Sequence, residues 1–308
     1  MTGASSQRLM DSLMSDESQA AAPLPDEGVY PIREVSRLTG VNAVTLRAWQ
    51  RRYGLVQPAR TEKGHRLYSE QDIRQIGEIL SWLERGVSIG QVKGLLSEPQ
   101  SAPVSDHWQQ TLEQFSQALL AFNQRKAEAE LGDLLASYPF ELVRSRVLQP
   151  LVERLLGLWR ERPDGELLQQ VWLGWLHTRF ARHLIEQEKG VPVTLASWGQ
   201  VGPLDLVWAA YELIGQGYEV QLLGAVEPRH ATLLEGRATT PWLILLGAGL
   251  GKQDQAAEWP EGTRFFGELG RLYDEPWRRA RNWHATLAEV SATPRTAKAK
   301  GKGGRTPS

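Results

Sequence analysis

The sequence predicts a multidomain chain, mainly α and then α/β: a winged helix-turn-helix over 29–97, a helical bundle over 106–189 and a small Rossmann-like α/β domain over 190–290. Three observations predict it. Basic residues concentrate in one short stretch near the N-terminus of a nearly neutral chain, apolar residues then recur at helical spacing, and from Gly190 short apolar runs alternate with helical segments. A length of 308 residues leaves room for two or three separate cores.

In the first stretch, Ile32, Val35 and Leu38 recur at helical spacing, and Pro31 fits the first turn of that helix. Gly40 supplies a left-handed exit, and Asn42 can cap a second helix. Leu46, Trp49 and Tyr53 share one face of that helix, whereas Asn42, Thr45, Arg47, Gln50 and Arg51 lie mostly off it, and Gly54 closes the segment. Next, Pro58 to Tyr68 has turn residues Glu62-Lys63-Gly64 between two short extended runs, the pattern of a hairpin wing. Ser69 to Asp72 caps a helix carrying Ile73, Ile76, Leu80 and Leu83, which Gly86 ends. Ser88 opens another, through Ile89, Val92, Leu95 and Leu96.

Between residues 29 and 68, eight cations (Arg33, Arg37, Arg47, Arg51, Arg52, Arg60, Lys63 and Arg66) face two acids (Glu34 and Glu62), a balance of +6 in a chain of net charge −1. A local basic excess of this kind is the footprint of a nucleic-acid module.

The run Thr45-Leu46-Arg47-Ala48-Trp49-Gln50-Arg51-Arg52-Tyr53-Gly54-Leu55, then Pro58-x-Arg60, Gly64-His65-Arg66-Leu67-Tyr68 and Asp72-Ile73-Arg74-Gln75-Ile76, resembles the DNA-binding domain of MerR-family transcription regulators. The Ala-Trp-x-Arg-Arg-Tyr-Gly and Gly-His-Arg-Leu-Tyr variants are similar to the branch holding MlrA-type biofilm regulators and the cobalamin-dependent CarA/CarH/LitR photoregulators. The resemblance implies a homodimer on double-stranded promoter DNA that bends and untwists an overlong spacer so that RNA polymerase engages both promoter elements. Candidate DNA contacts are Asn42, Thr45, Gln50 and Arg51 on base edges. Arg47, Trp49, Arg52, Arg60, Lys63, Gly64, His65, Arg66 and Tyr68 join them on the reading helix and wing, where cations and polar donors suit phosphate oxygens. For Leu46, Trp49 and Leu67 a core position is favoured over a contact, and Arg47 is as much a candidate for a structural ion pair.

Residues 98–105, with Pro99 and Pro103, read as a linker. Four apolar stripes follow, through Leu112 to Phe122, Leu131 to Leu135, Leu142 to Leu158 and Leu167 to Leu184, punctuated by Gly132, Pro150 and Pro163-Asp164-Gly165, and they predict a bundle of about four helices. Strands are expected at Val191–Trp198, Gly217–Leu223, Trp242–Leu246 and Thr263–Phe266, with helices at Leu204–Gln216 and His230–Leu234. That alternation implies a parallel sheet with right-handed crossovers. Trp277 to Val290 reads as a terminal helix, residues 1–28 as a disordered acidic arm and 291–308 as a basic disordered tail.

A bundle followed by a small α/β domain is the arrangement of the photoregulators' cobalamin-binding half, whose sheet carries Asp-x-His-x-x-Gly after its first strand. With Gly202 on the motif glycine, Ser197 takes the aspartate position and Gly199 the histidine position, and neither can serve as an imidazole ligand or orient one. In the bundle, Trp159 keeps a tryptophan, but Gln169-Gln170 and Val171-Trp172 stand where Glu-His is expected, and His177 and His183 do not share a face. The expectation is therefore no cofactor and no metal, the pattern MlrA-like regulators show. Gly247 to Lys252 lacks phosphate-loop spacing, no catalytic constellation is evident, and no cysteine provides a thiol, so an enzyme is not expected. The longest apolar runs fall short of a membrane span, which suits a cytoplasmic, nucleoid-associated protein. Two other functions stay open: a light- or cobalamin-responsive repressor, and a ligand-sensing or protein-docking module, bound by a signalling protein at the C-terminal half, that DNA binding delivers.

Overall fold

A computed structural model describes residues 29–97, 106–234, 240–251, 254, 258–259 and 263–267. The expected arm 1–28, linker 98–105, terminal helix Trp277–Val290 and tail 291–308 lie outside the described residues. Two compact units emerge, one taking in the chain up to Gln110 together with Gly132–Pro139, the other Thr111–Leu131 and the chain from Phe140 onward.

In the first unit, strand β1 (Tyr30–Pro31) leads into helix α1 (Ile32–Thr39), which Gly40 ends at φ 70°. Helix α2 (Ala43–Ala48) follows and widens into a π turn over Trp49–Tyr53, closed by Gly54 at φ 60°. Strands β2 (Ala59–Arg60) and β3 (Arg66–Tyr68) form the hairpin, with Gly64 at φ 80° in its turn. Helix α3 (Glu70–Glu84) starts on a reciprocal cap in which Ser69 and Asp72 satisfy one another's backbone N–H groups, and α4 (Ile89–Ser97) completes the module. Val35, Leu46, Trp49, Tyr68, Ile76, Ile79, Leu83 and Val92 are buried in this unit.

One expectation is corrected. Pro31 precedes the helix rather than opening it: its ψ of 153° is extended, and β1 pairs antiparallel with β3 through Tyr30 with Tyr68 and Pro31 with Leu67. The wing is thus part of a three-stranded sheet, order β1-β3-β2, with β1 as the edge strand beyond the hairpin. A two-residue edge strand has no period to read, and proline is tolerated there because an edge does not require its missing N–H.

Helices α5 (His107–Leu120) and α6 (Gln124–Ser137) divide between the two units, α5 beginning and α6 ending in the first. The second unit continues with α7 (Phe140–Val143), which runs through a π turn at Arg144–Leu148 into α8 (Gln149–Leu156), and with the long α9 (Gly165–Glu186). Leu168, Trp172, Leu176 and Phe180, spaced four apart, form the buried stripe of α9. The Trp172 indole donates to the Leu119 carbonyl at 3.0 Å, so the polar edge of this buried ring is satisfied.

The sheet of the second unit comprises β4 (Val191–Trp198), β5 (Tyr218–Ala225), β6 (Trp242–Leu246) and β7 (Arg264–Phe266), all parallel, in the order β5-β4-β6-β7. Helices α10 (Asp205–Gly215) and α11 (Pro228–Leu234) lie in its crossovers. Alternate residues feed opposite faces: Leu195 and Leu243 pack with Ala210 and Leu213 of α10, while Ala196 and Ile244 pack with Trp198, Trp242 and Val226.

The strand order reverses between β4 and β6, the position where sheets of this kind open a ligand crevice. Here the two strand ends are stitched together. Gln200 N–H donates to the Ala248 carbonyl at 2.9 Å, Ala248 N–H returns the bond at 2.8 Å, and Gly247 N–H donates to the Trp198 carbonyl at 2.7 Å. The approach is so close that a Cβ on Gly247 would lie 2.5 Å from the Gln200 carbonyl oxygen. We expect Gly247→Ala to force this bridge apart and lower stability by about 1–3 kcal/mol, measured by urea unfolding of the full chain.

Candidate nucleic-acid interface

The reading helix is short, so its start and end are set by single residues. Asn42 accepts a hydrogen bond from Thr45 N–H at 2.8 Å and fixes the first turn. Replacing Asn42 with Ala is expected to lower the thermal midpoint of the full chain through loss of about 1 kcal/mol of cap, besides altering base preference in a selection from randomised duplexes.

Beyond that turn Arg47, Arg51 and Arg52 are exposed and Gln50 is half-buried. Gln50 is held: the Arg66 Nε donates to its Oε1 at 2.6 Å, so a wing cation is tied to the reading helix by a bond across 16 residues of sequence. Arg60, Lys63, Gly64 and His65 are exposed at the hairpin tip, whose geometry is set by Thr61, as its N–H donates to the His65 carbonyl at 2.9 Å and its hydroxyl accepts from His65 N–H at 3.0 Å. Arg60 donates to the Gly64 carbonyl at 3.3 Å. Among the described residues, Arg47, Arg51, Arg52, Arg60, Lys63 and Arg66 form no ion pair, whereas Arg37 is matched by Glu34 at 2.6 Å. Unneutralised guanidinium and ammonium groups on one helix and its hairpin create a positive field that attracts a polyanion.

Three of the candidate contacts are placed elsewhere. Thr45, Trp49 and Tyr68 are all fully buried, so none presents its side chain to a duplex. Thr45 faces inward because the first turn of α2 packs against the module's core. Trp49 fills that core and donates its indole N–H to the Ser137 carbonyl at 2.8 Å. Tyr68 sits under the sheet, where burial pushes its hydroxyl up from the usual tyrosine range while Arg66 and Arg47 pull in the opposite direction. The ion pair considered for Arg47 is not formed among the described residues.

Sequence reading missed other participants. Lys93 of α4 places its Nζ 3.1 Å from where a Cβ of Gly54 would stand, adding a cation at the end of the reading helix. Ser137 and Tyr138, far along the chain, meet the module: Tyr53 Oη lies 3.1 Å from Ser137 Oγ, Ile89 N–H donates to Tyr138 Oη at 3.2 Å, and Tyr138 Oη lies 2.8 Å from His107 Nε2. Burial pushes the His107 imidazole below its ordinary range, which favours the neutral ring that can accept the tyrosine proton in that bond. Only Lys93 carried a readable signal, as a cation on a helix already assigned to the module.

As a group holding a corrinoid, the second unit does not fit. Ser197 is buried with no hydrogen-bond partner for its hydroxyl, Gly199 has φ 84°, and its missing Cβ would lie 2.8 Å from the Ala248 carbonyl oxygen. Among the described residues no cluster of three potential metal ligands occurs, and no helix is long and apolar enough to cross a membrane.

Residues 30–99 match the family model described as MerR HTH family regulatory protein. The chain is 31% identical over 217 residues to the HTH-type transcriptional regulator MlrA of Escherichia coli (strain K12), covering 70% of this chain and 88% of that one. It is 30% identical over 245 residues to the protein of the same name in Salmonella typhimurium (strain SL1344), covering 79% and 99%. With the HTH-type transcriptional repressor CarH of Myxococcus xanthus it shares 27% identity over 141 residues, 41% of this chain and 46% of that protein.

Proposed function

Because this chain belongs to the MerR family of helix-turn-helix regulators, in its MlrA-like branch, and is a DNA-binding transcription regulator, we propose that it activates promoters by bending and untwisting them as a homodimer. The observation that carries the reading is the Arg66–Gln50 bond, which holds wing and reading helix as one surface bearing unpaired cations. Arg47, Arg52, Arg60, Lys63, His65 and Arg66 bind phosphate and supply affinity that falls steeply with salt. Asn42, Gln50 and Arg51 read base edges, with the Gly64 backbone close to the duplex at the wing tip. Backbone contacts on two half-sites offset the cost of deforming the spacer between them, so that RNA polymerase can engage both promoter elements.

The second unit, in this proposal, has the shape of a cobalamin carrier without its chemistry. Its sealed strand ends and the Ser197 and Gly199 positions support that reading, and the unit docks a signalling protein or supplies the dimer contact.

The experiment is binding of the full chain to promoter fragments across a salt series, followed by transcription with purified RNA polymerase on the fragment bound. A steep negative slope of log affinity against log salt, with activated transcripts, is expected. Repression on that fragment would refute activation, and a corrinoid absorption spectrum of protein grown with cobalamin would refute the carrier reading.

A further inference from the structure

The family model ends at residue 99, yet the compact unit that contains the reading helix includes two further pieces, His107–Gln110 and Gly132–Pro139. We propose that Ser137 and Tyr138, braced by His107 and Trp108, are positioning residues of the DNA reader: they form a clasp that fixes the angle of the reading helix against the rest of the module.

Three polar groups of the module, the Trp49 indole N–H and one backbone group at an end of each of α3 and α4, find partners on the clasp. The carbonyl of Ser137 receives the Trp49 indole proton at 2.8 Å, at the residue where α2 passes into its π turn. Tyr138 Oη accepts the first N–H of α4, at Ile89, a donor that no intrahelical carbonyl can reach. Trp108 Nε1 donates to the Leu83 carbonyl at 2.9 Å, in the last turn of α3. Tyr53 Oη approaches Ser137 Oγ at 3.1 Å, so both ends of the π turn, Trp49 and Tyr53, meet the same serine. The rings of His107, Trp108 and Tyr138 then pack on one another with centroids 4.9–5.5 Å apart, which stiffens the clasp.

A π turn, closed by i→i+5 bonds, is wider than an α turn and re-aims the side chains it carries relative to the helix before it. Gln50, Arg51 and Arg52 sit inside this one. Holding Trp49 and Tyr53 from behind therefore fixes where those three side chains point. The energetic effect is preorganisation: a reader already at the correct angle loses less conformational freedom on specific binding, while nonspecific attraction to phosphates, which tolerates many angles, is indifferent to it.

The proposal rests on α2 being the reader, and the test separates the two ideas. The probes are a duplex recovered by the wild-type full chain from a randomised library and a scrambled duplex of the same length. Ser137→Ala with Tyr138→Phe in the full chain removes two hydroxyls of buried clasp residues. Affinity for the selected duplex is expected to fall about tenfold, with affinity for the scrambled duplex unchanged. Trp49→Phe, which leaves an aromatic ring in the core while removing the indole N–H together with the rest of the five-membered ring, is expected to lower the ratio of the two affinities likewise and to speed hydrogen exchange over residues 49–54. An unchanged ratio in both variants would overturn the clasp, as would equal loss on both duplexes, which marks lost folding rather than lost positioning. A wild-type chain with no preference for any duplex would overturn the reading of α2 itself.

Discussion

Trp49→Ala is expected to abolish DNA binding by unfolding the first unit. The ring is fully buried, and truncating a buried tryptophan costs about 3–5 kcal/mol through lost contacts and the void left behind. The Ser137 carbonyl also loses the donor now 2.8 Å away, and a buried acceptor left without a partner adds about 1–3 kcal/mol. Set against a total of about 5–15 kcal/mol for a domain, the sum is enough to populate the unfolded unit. Far-UV circular dichroism and urea titration of the full chain check it: a two-step transition in which the first unit melts early is expected, and a wild-type denaturation curve would contradict the placement of Trp49 in the core.

The second large effect is at the wing. Arg66→Ala is expected to weaken binding about tenfold, since hydrogen bonds from a charged donor are worth about 1.5–3 kcal/mol, and to reduce the salt slope by about 0.9 for the one phosphate released. Because Arg66 also holds Gln50, the substitution frees a base reader, so discrimination between duplexes falls together with affinity. Arg66→Lys separates the two contributions. It keeps the charge and hence the slope, but a single ammonium cannot hold Gln50 Oε1 and a phosphate in the planar fork of a guanidinium, so selectivity drops. Filter binding of matched and scrambled duplexes at several salt concentrations measures both quantities; undiminished affinity of Arg66→Ala at moderate salt would refute the wing assignment.

Much of the first unit was legible because its boundaries are written in residues with one physical use. Gly40, Gly54 and Gly64 occupy left-handed backbone, Asn42 and Ser69 cap helices, and the helical spacing of Ile76 and Leu83 marks a core face. The parallel sheet was legible too, from apolar runs alternating with helical segments, and its strands fall within a residue or two of the expected spans. What local pattern could not convey was partnership. Thr45 and Arg47 are two residues apart in the same helix, yet one is sealed in the core and the other exposed, and only the packing of α2 decides which. Trp49 carries a polar edge compatible with either a phosphate or a carbonyl. The carbonyl it finds belongs to a residue 88 positions away, a separation no periodicity encodes.

The stitched strand ends bear on how this fold can change. Placing an imidazole at position 199 would require a side chain on a residue at φ 84°, with its first carbon 2.8 Å from the Ala248 oxygen. A carboxylate at 197 would start from a buried position on the strand between β5 and β6. An imidazole at 199 is therefore blocked by backbone, and the loops after β4 and β6 would have to separate before that position could take a side chain. Gly199 and Gly247 thus hold two loops at a spacing that admits no side-chain carbon at either position, which makes this end of the sheet intolerant of substitution at both.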